Sequence, residues 1–172
     1  MSSDLLVITA SSGENLRLAE RFAARARQRG LSAEVLDLTE LPLPLYNPRL
    51  HAAEGIPSAV DDLQRRLAPV PRWLICAPEY NGSIPPVLTS AIAWLSVQGE
   101  DFRALFNGRP IAIASHSGGG GVEGLTALRI QLSHLGAHVV GRQLVATHAN
   151  PAKDASLDDL IARLSQLLPI AI

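Results

Sequence analysis

Leu74 to Leu95 reads LICAPEYNGSIPPVLTSAIAWL. An apolar run without a charge ends abruptly at Pro78, which suits a strand buried on both faces of a sheet. A polar, turn-prone segment follows, Glu79-Tyr80-Asn81-Gly82-Ser83. Pro85 and Pro86 then stand where the first turn of a helix tolerates proline. The helix beyond carries Val87, Leu88, Ala91, Ile92, Trp94 and Leu95, which point in too many directions for a one-faced amphipathic helix. Strand, loop and helix in this order form the repeating unit of an α/β fold.

The same alternation extends on both sides. Leu5–Ala10 (LLVITA) predicts a first strand, and SSGEN interrupts it. A helix marked by Leu16, Ala19, Ala23 and Ala26 follows and stops at Gly30. Ala33–Leu38 predicts a second strand. The proline-rich, aperiodic segment from Thr39 to Ala59 is expected to be a long loop. A helix is expected over Ser58–Leu67, and RWLICAP supplies the third strand. PIAIASH is a fourth strand, SGGGGVEG a glycine-rich turn, and Leu125, Leu128, Leu132 and Leu135 make the stripe of the next helix. HVVGRQLVA is expected as one fifth strand. Leu157, Leu160, Ile161, Leu164 and Leu168 mark the closing helix. Five strands joined by right-handed crossovers predict a single-domain, flavodoxin-like doubly wound parallel sheet of order 2-1-3-4-5 over residues 1–172.

Composition narrows the function classes. Apolar residues make up 47% of the 172 and charged ones 18%, an ordinary globular balance with a net charge of -1. No basic field invites nucleic acid, and no apolar run reaches the roughly 18 residues of a spanning helix. MSSDLLVITASSG reads as a first strand and not as a leader. The lone Cys76 has no disulfide partner and is expected in the core. A cytoplasmic protein is the expectation.

In such sheets ligands bind beyond the carboxyl ends of the strands. Three unusual loops converge there. Ser11, Ser12, Gly13 and Asn15 precede a helix N-terminus, where free N–H groups favour an anion; capping by Ser or Asn is the competing reading. Pro78, Glu79, Tyr80, Asn81 and Ser83 form a turn in which Tyr80 offers a flat face. Ser115, His116, Ser117, Gly118 and Gly119 open a run of glycines over which a ring could lie. His116 is read either as a ligand contact or as a turn cap. Gly119, Gly121 and Gly124 spell GxGxxG, but after the fourth strand and without the acidic residue that motif requires. His134 and His138 flank Gly136, which argues against a metal pair. No nucleophile triad or paired-carboxylate pattern is present.

These segments resemble a known family. APEYNGSIPPVLTSAIAWLS is similar to the signature loop of the NADPH-dependent FMN reductases, flavodoxin-like quinone, chromate and azo-dye reductases, and SHSGGGGVEGLTALRIQLSHLGAHVV is similar to their second glycine loop and helix. The resemblance implies FMN as cofactor, NADPH or NADH as co-substrate and a quinone-like acceptor, with the chemistry carried by the flavin and by no catalytic side chain. It implies that Ser11 and Asn15 hold the flavin phosphate. Pro78 to Asn81 would border the ring, largely through backbone atoms, and Ser115 to Gly119 its other edge. It also implies a homodimer or homotetramer through the Pro86–Val97 helix. One departure stands out: family members commonly carry Gly-Ser-x-Arg-x-x-Ser-x-Asn, whereas ASSGEN is shorter and has no basic residue. The phosphate would then rely on N–H groups, Ser11, Ser12 and Asn15, with Arg17 folding back. Two rival readings keep the fold: a flavin-binding electron carrier without nicotinamide activity, and a dimeric binding protein that has lost the flavin.

Overall fold

The computed structural model describes residues 3–170. Six strand segments make one parallel sheet: β1 (Leu5–Thr9), β2 (Ala33–Asp37), β3 (Trp73–Cys76), β4 (Pro110–His116), β5 (His138–Val139) and β6 (Leu144–Ala146). The order is β2-β1-β3-β4-β5, with β6 also paired to β4. Helices α1 (Glu14–Gln28), α2 (Pro48–Glu54), α3 (Ser58–Leu67), α4 (Pro86–Ser96), α5 (Val122–His134) and α6 (Asp154–Ser165) connect them. Among the described residues no helix is long and apolar enough to cross a membrane.

The uninterrupted apolar runs are explained by alternation across two buried faces. Leu6, Ile8, Trp73, Ile75, Ile111 and Ile113 pack under α3, α4 and α5. Leu5, Val7, Leu74, Cys76, Ala112 and Ala114 pack under α1 and α6. The second face is made of smaller residues and meets Ala19, Ala23 and Ala26 of α1, so this helix lies close to the sheet. Cys76 is fully buried there, and burial pushes its thiol pKa up.

Several boundaries differ from the sequence expectation. The expected fifth strand is two segments. Ile111 pairs with Val139 and still accepts from the Val140 N–H at 2.8 Å, and Ala114 pairs with Leu144, so residues 141–143 bulge out of the ladder between them. Arg129 fixes the bulge by donating from Nη1 to the Val140 carbonyl at 2.9 Å. The expected long loop holds a 3₁₀ turn at Leu38–Glu40 and helix α2. Asn47 caps α2 by accepting from the Arg49 N–H at 2.8 Å, and Pro48 occupies its first turn. On α1 it is Leu18 and Phe22, not Leu16, that join the alanines in the core. Leu168 lies beyond the end of α6 and is 71% exposed.

The proline-rich segment is also a strap. Trp94 Nε1 donates to the Pro44 carbonyl at 2.8 Å, and the Tyr46 N–H donates to Ser90 Oγ at 2.8 Å. The Tyr46 ring meets Trp94 edge-on, with centroids 4.9 Å apart, and His51 closes the cluster. α4 is therefore covered by the sheet on one side and by this strap on another. Its apolar residues Leu88, Ala91, Ile92, Trp94 and Leu95 are buried within the single chain, and Val87 remains exposed.

Candidate functional site

In a parallel sheet every loop that follows a strand emerges at the same edge. The loop after β1 leads into α1, whose amino end has no side-chain cap. Ser11 Oγ instead accepts from the Gly13 N–H at 3.3 Å. The N–H groups of Ser12, Glu14, Asn15 and Leu16 meet no acceptor among the described residues. Uncapped N–H groups at the positive end of a helix dipole form an anion cradle, and the capping reading of Ser11, Ser12 and Asn15 does not describe this helix. Glu14 turns along the helix onto Arg17, so its carboxylate is paired, and Arg17 does not fold back over the loop.

Asn15 has a different position from the one the resemblance implied. It is 2% exposed. Its Nδ2 donates to the His116 carbonyl at 2.8 Å, and its Oδ1 accepts from the His116 N–H at 2.9 Å. Both ends of the amide are engaged, and they bind the first turn of α1 to the end of β4.

The loop after β3 folds into a tight turn. Tyr80 and Ser83 exchange backbone bonds of 3.1 and 3.0 Å around Asn81 (φ 53°) and Gly82 (φ 69°). Positive φ at both central positions defines a type I′ turn, for which Asn-Gly is the preferred pair. The turn lifts the Tyr80 ring outward, 51% exposed. Glu79 is drawn inward. Its N–H donates to Ser117 Oγ at 2.8 Å, and its carboxylate accepts from the Gly124 N–H at 2.8 Å, in the first turn of α5. Ser115, 1% exposed, and Ser117 complete this network with their hydroxyl oxygens 3.0 Å apart.

The glycines after β4 are of two kinds. At Gly121 (φ 78°) a Cβ would stand 2.3 Å from Ser115 Oγ, so the fold itself requires glycine there. At Gly118 and Gly119 a Cβ would meet no atom within 4 Å. Their N–H groups have no acceptor among the described residues. An open backbone with free donors is what a flat ligand with polar edges can lie against. The Pro78 ring flanks this backbone's partner loop and is half-buried.

A fourth loop, after β6, reaches the same edge, and the sequence pattern alone does not single it out. It places His148 against His116, with ring centroids 4.9 Å apart and planes at 74°. A signal for it exists all the same. Any segment after a parallel strand must emerge at this edge, and THANP comes directly after HVVGRQLVA. Beside the strap, an open groove of about 270 Å³ is lined by Leu41, Leu43, Leu45, Pro86, Val87 and Ser90, among others.

The fold is flavodoxin-like. The chain superposes on the flavoenzyme NAD(P)H:(acceptor) oxidoreductase FerB of Paracoccus denitrificans with a TM-score of 0.77, 24% identity and 96% of each chain covered. It superposes on a flavodoxin from the domain Archaea with a TM-score of 0.61, 11% identity and 94% of each chain covered. Residues 3–151 match the NADPH-dependent FMN reductase family, and the chain belongs to that family. It is 32% identical to an NAD(P)H-dependent FMN reductase of Pseudomonas aeruginosa over 96% of this chain and 92% of that one. It is 34% identical to a quinone reductase of Escherichia coli over 58% of this chain and 53% of that one.

Proposed function

We propose that this chain is an NAD(P)H-dependent FMN oxidoreductase that passes reducing equivalents to a quinone-like acceptor. The observation that carries the reading is the junction of the uncapped α1 terminus with the open Gly118–Gly119 backbone, held together by Asn15. These residues fit a phosphorylated flavin: free N–H groups for an anion at one end, free N–H groups and no side chains for a ring at the other. Bound FMN would supply the hydride and electron transfer, which no side chain of this chain can perform.

The chain's part is binding and orientation. The N–H groups of Ser12, Glu14, Asn15 and Leu16, with the Ser11 and Ser12 hydroxyls, hold the phosphate. Pro78, Tyr80, Asn81 and Ser83 border the ring, and the N–H groups of Gly118 and Gly119 meet its polar edge, where negative charge is best stabilised by donors already in place. Glu79 and Ser117 are committed to each other and to α5, so they hold the loops and move no proton. The apolar groove at the strap suits an uncharged ring as acceptor.

The same reading extends the reductase domain over the whole chain, because α6 packs on α1 beyond the family match. It places the protein in the cytoplasm, where nicotinamide nucleotides are supplied. It makes a homodimer through Pro86–Val97, supported by exposed Val87 and Leu45 and by Val122 and Ile130 on α5. Sedimentation of wild type and Val87→Arg tests the assembly, and a monomeric wild type overturns it.

The deciding experiment is titration of flavin-free protein with FMN, followed by quenching of flavin fluorescence. Saturable binding of one FMN per chain is expected, then consumption of NADPH or NADH when a quinone is added. Tyr80→Ala and Asn81→Ala are expected to weaken FMN about threefold to tenfold, with circular dichroism unchanged. FMN binding without NAD(P)H consumption would make the chain an electron carrier. Absence of binding would make it a flavin-less binding protein.

A further inference from the structure

A flavin phosphate at this site has no formal positive partner in the first loop. That loop has no basic side chain, Arg17 is turned onto Glu14, and the Asn15 amide is fully engaged. The connection after β2 carries Arg49 and His51 on α2, with the His51 ring packed on Tyr46 and Trp94; among the loops after β1, β3, β4 and β6 the basic side chains are His148 and Lys153, joined by His116 at the end of β4. Two of these three are packed against each other.

Their orientation follows from the strand. Ala112 and Ala114 of β4 pack with α1 and α6, and His116, two residues further along, projects to the same side of the sheet. Asn15 lies in the first turn of α1 and grips the His116 backbone from both sides, so the ring leaves β4 beside that turn. Ala146 pairs with His116 in the ladder. His148 follows two residues later, in the loop leading to α6, on the same layer. The two imidazoles and the free N–H groups of α1 therefore share one end of one layer.

We propose that His116 and His148 contact the 5′-phosphate of the bound flavin and supply the positive partner that the first loop lacks. The proposal rests on the flavin reading above. Each imidazole is a hydrogen-bond donor in either protonation state and a cation when protonated, so both rings are suited to a phosphate. Asn15 acts through His116 and is a positioning residue. The phosphates of a nicotinamide nucleotide offer the same chemistry, but the bonds that tie the His116 backbone to Asn15 in the first turn of α1 assign the pair to the flavin.

The test compares FMN with riboflavin, which lacks the phosphate, by fluorescence titration of flavin-free protein. His148 is exposed and makes no hydrogen bond among the described residues, so His148→Ala leaves the fold intact. His116→Ala keeps the backbone groups that Asn15 binds. Each variant is expected to weaken FMN about tenfold and leave riboflavin unchanged. His148→Arg is expected to restore or exceed wild-type preference for FMN. Equal loss of both flavins would assign the pair a structural role and overturn the proposal. An unchanged FMN-to-riboflavin ratio would do so too, as would an effect confined to the NADPH-to-NADH KM ratio. A wild type that binds neither flavin removes the flavin reading itself, and this inference with it.

Discussion

Asn15 carries more of this site than its size suggests. Its carboxamide makes the same pair of bonds to His116 that a neighbouring strand would make, in a place water does not reach. Replacing it with alanine strands a buried N–H and a buried C=O, each costing about 1–3 kcal/mol. Asn15→Ala is therefore expected to lower unfolding stability by about 2–4 kcal/mol in a urea titration. It should weaken both flavins by loosening the junction of α1 with β4, and FMN more than riboflavin because it acts through His116. Asn15→Asp keeps the acceptor and loses the donor, and should fall between. The residue type was legible in the sequence and its role was not. Asn15 and His116 are 101 positions apart, and a helix N-terminus rich in Ser and Asn looks the same whether its side chains face a ligand or the next loop. Glu79 repeats the lesson. Its place beside the loop was legible, but its carboxylate serves the first turn of α5.

At the scale of elements, α4 shows that a helix apolar on most sides can bury much of that surface within its own chain while leaving Val87 exposed. Its extra apolar face is covered by the strap, which the sequence presented as prolines without a period. The proline content hid two cues: Asn47-Pro48, an N-cap followed by a first-turn proline, and Tyr46, an aromatic residue with a partner to find. The strap's hold on α4 is testable. Trp94→Phe keeps most of the buried ring and loses the bond to the Pro44 carbonyl, and should cost about 1 kcal/mol or somewhat more in thermal unfolding. The split edge strand has a similar physical reason. Gly141 and Arg142 bulge outward, and nothing in an alternating apolar pattern reveals where a ladder slips.

Over the whole molecule, strand order and layering were legible because they depend on coarse features: charge-free runs, helical stripes and the rule for crossovers. What the sequence did not display is how the layers are tied. α1 and α6 are joined by ion pairs, Arg21 with Asp154 at 2.8 Å and Arg25 with Asp158 through both guanidinium arms. The bonds from Arg25 hold the Asp158 carboxyl below its ordinary value of 3.8, as those from Arg163 do for Asp159 and those from Ser32 for Asp4. A carboxyl whose pKa is lower when folded takes up protons more readily once unfolded. Its contribution is present above the unfolded value and is lost as pH falls through the folded one. The urea midpoint is expected to be level from neutrality to about pH 5 and to decline below about pH 4. Asp158→Asn should lessen the decline, and an identical acid profile in that variant would rule out the clasp as its source.

The small-residue layer under α1 has one more effect. Cys76 and Met1 are the only sulfur-bearing residues in the chain, and Cys76 is sealed beneath a helix with its thiol held in the unreactive protonated form. A centre that trades electrons with small diffusing molecules brings oxidants close to its own polypeptide. Here the thiol is present as packing material alone, out of reach of sulfenylation and of mixed disulfides. The fold thereby shields its sole cysteine from the wear that such turnover would bring.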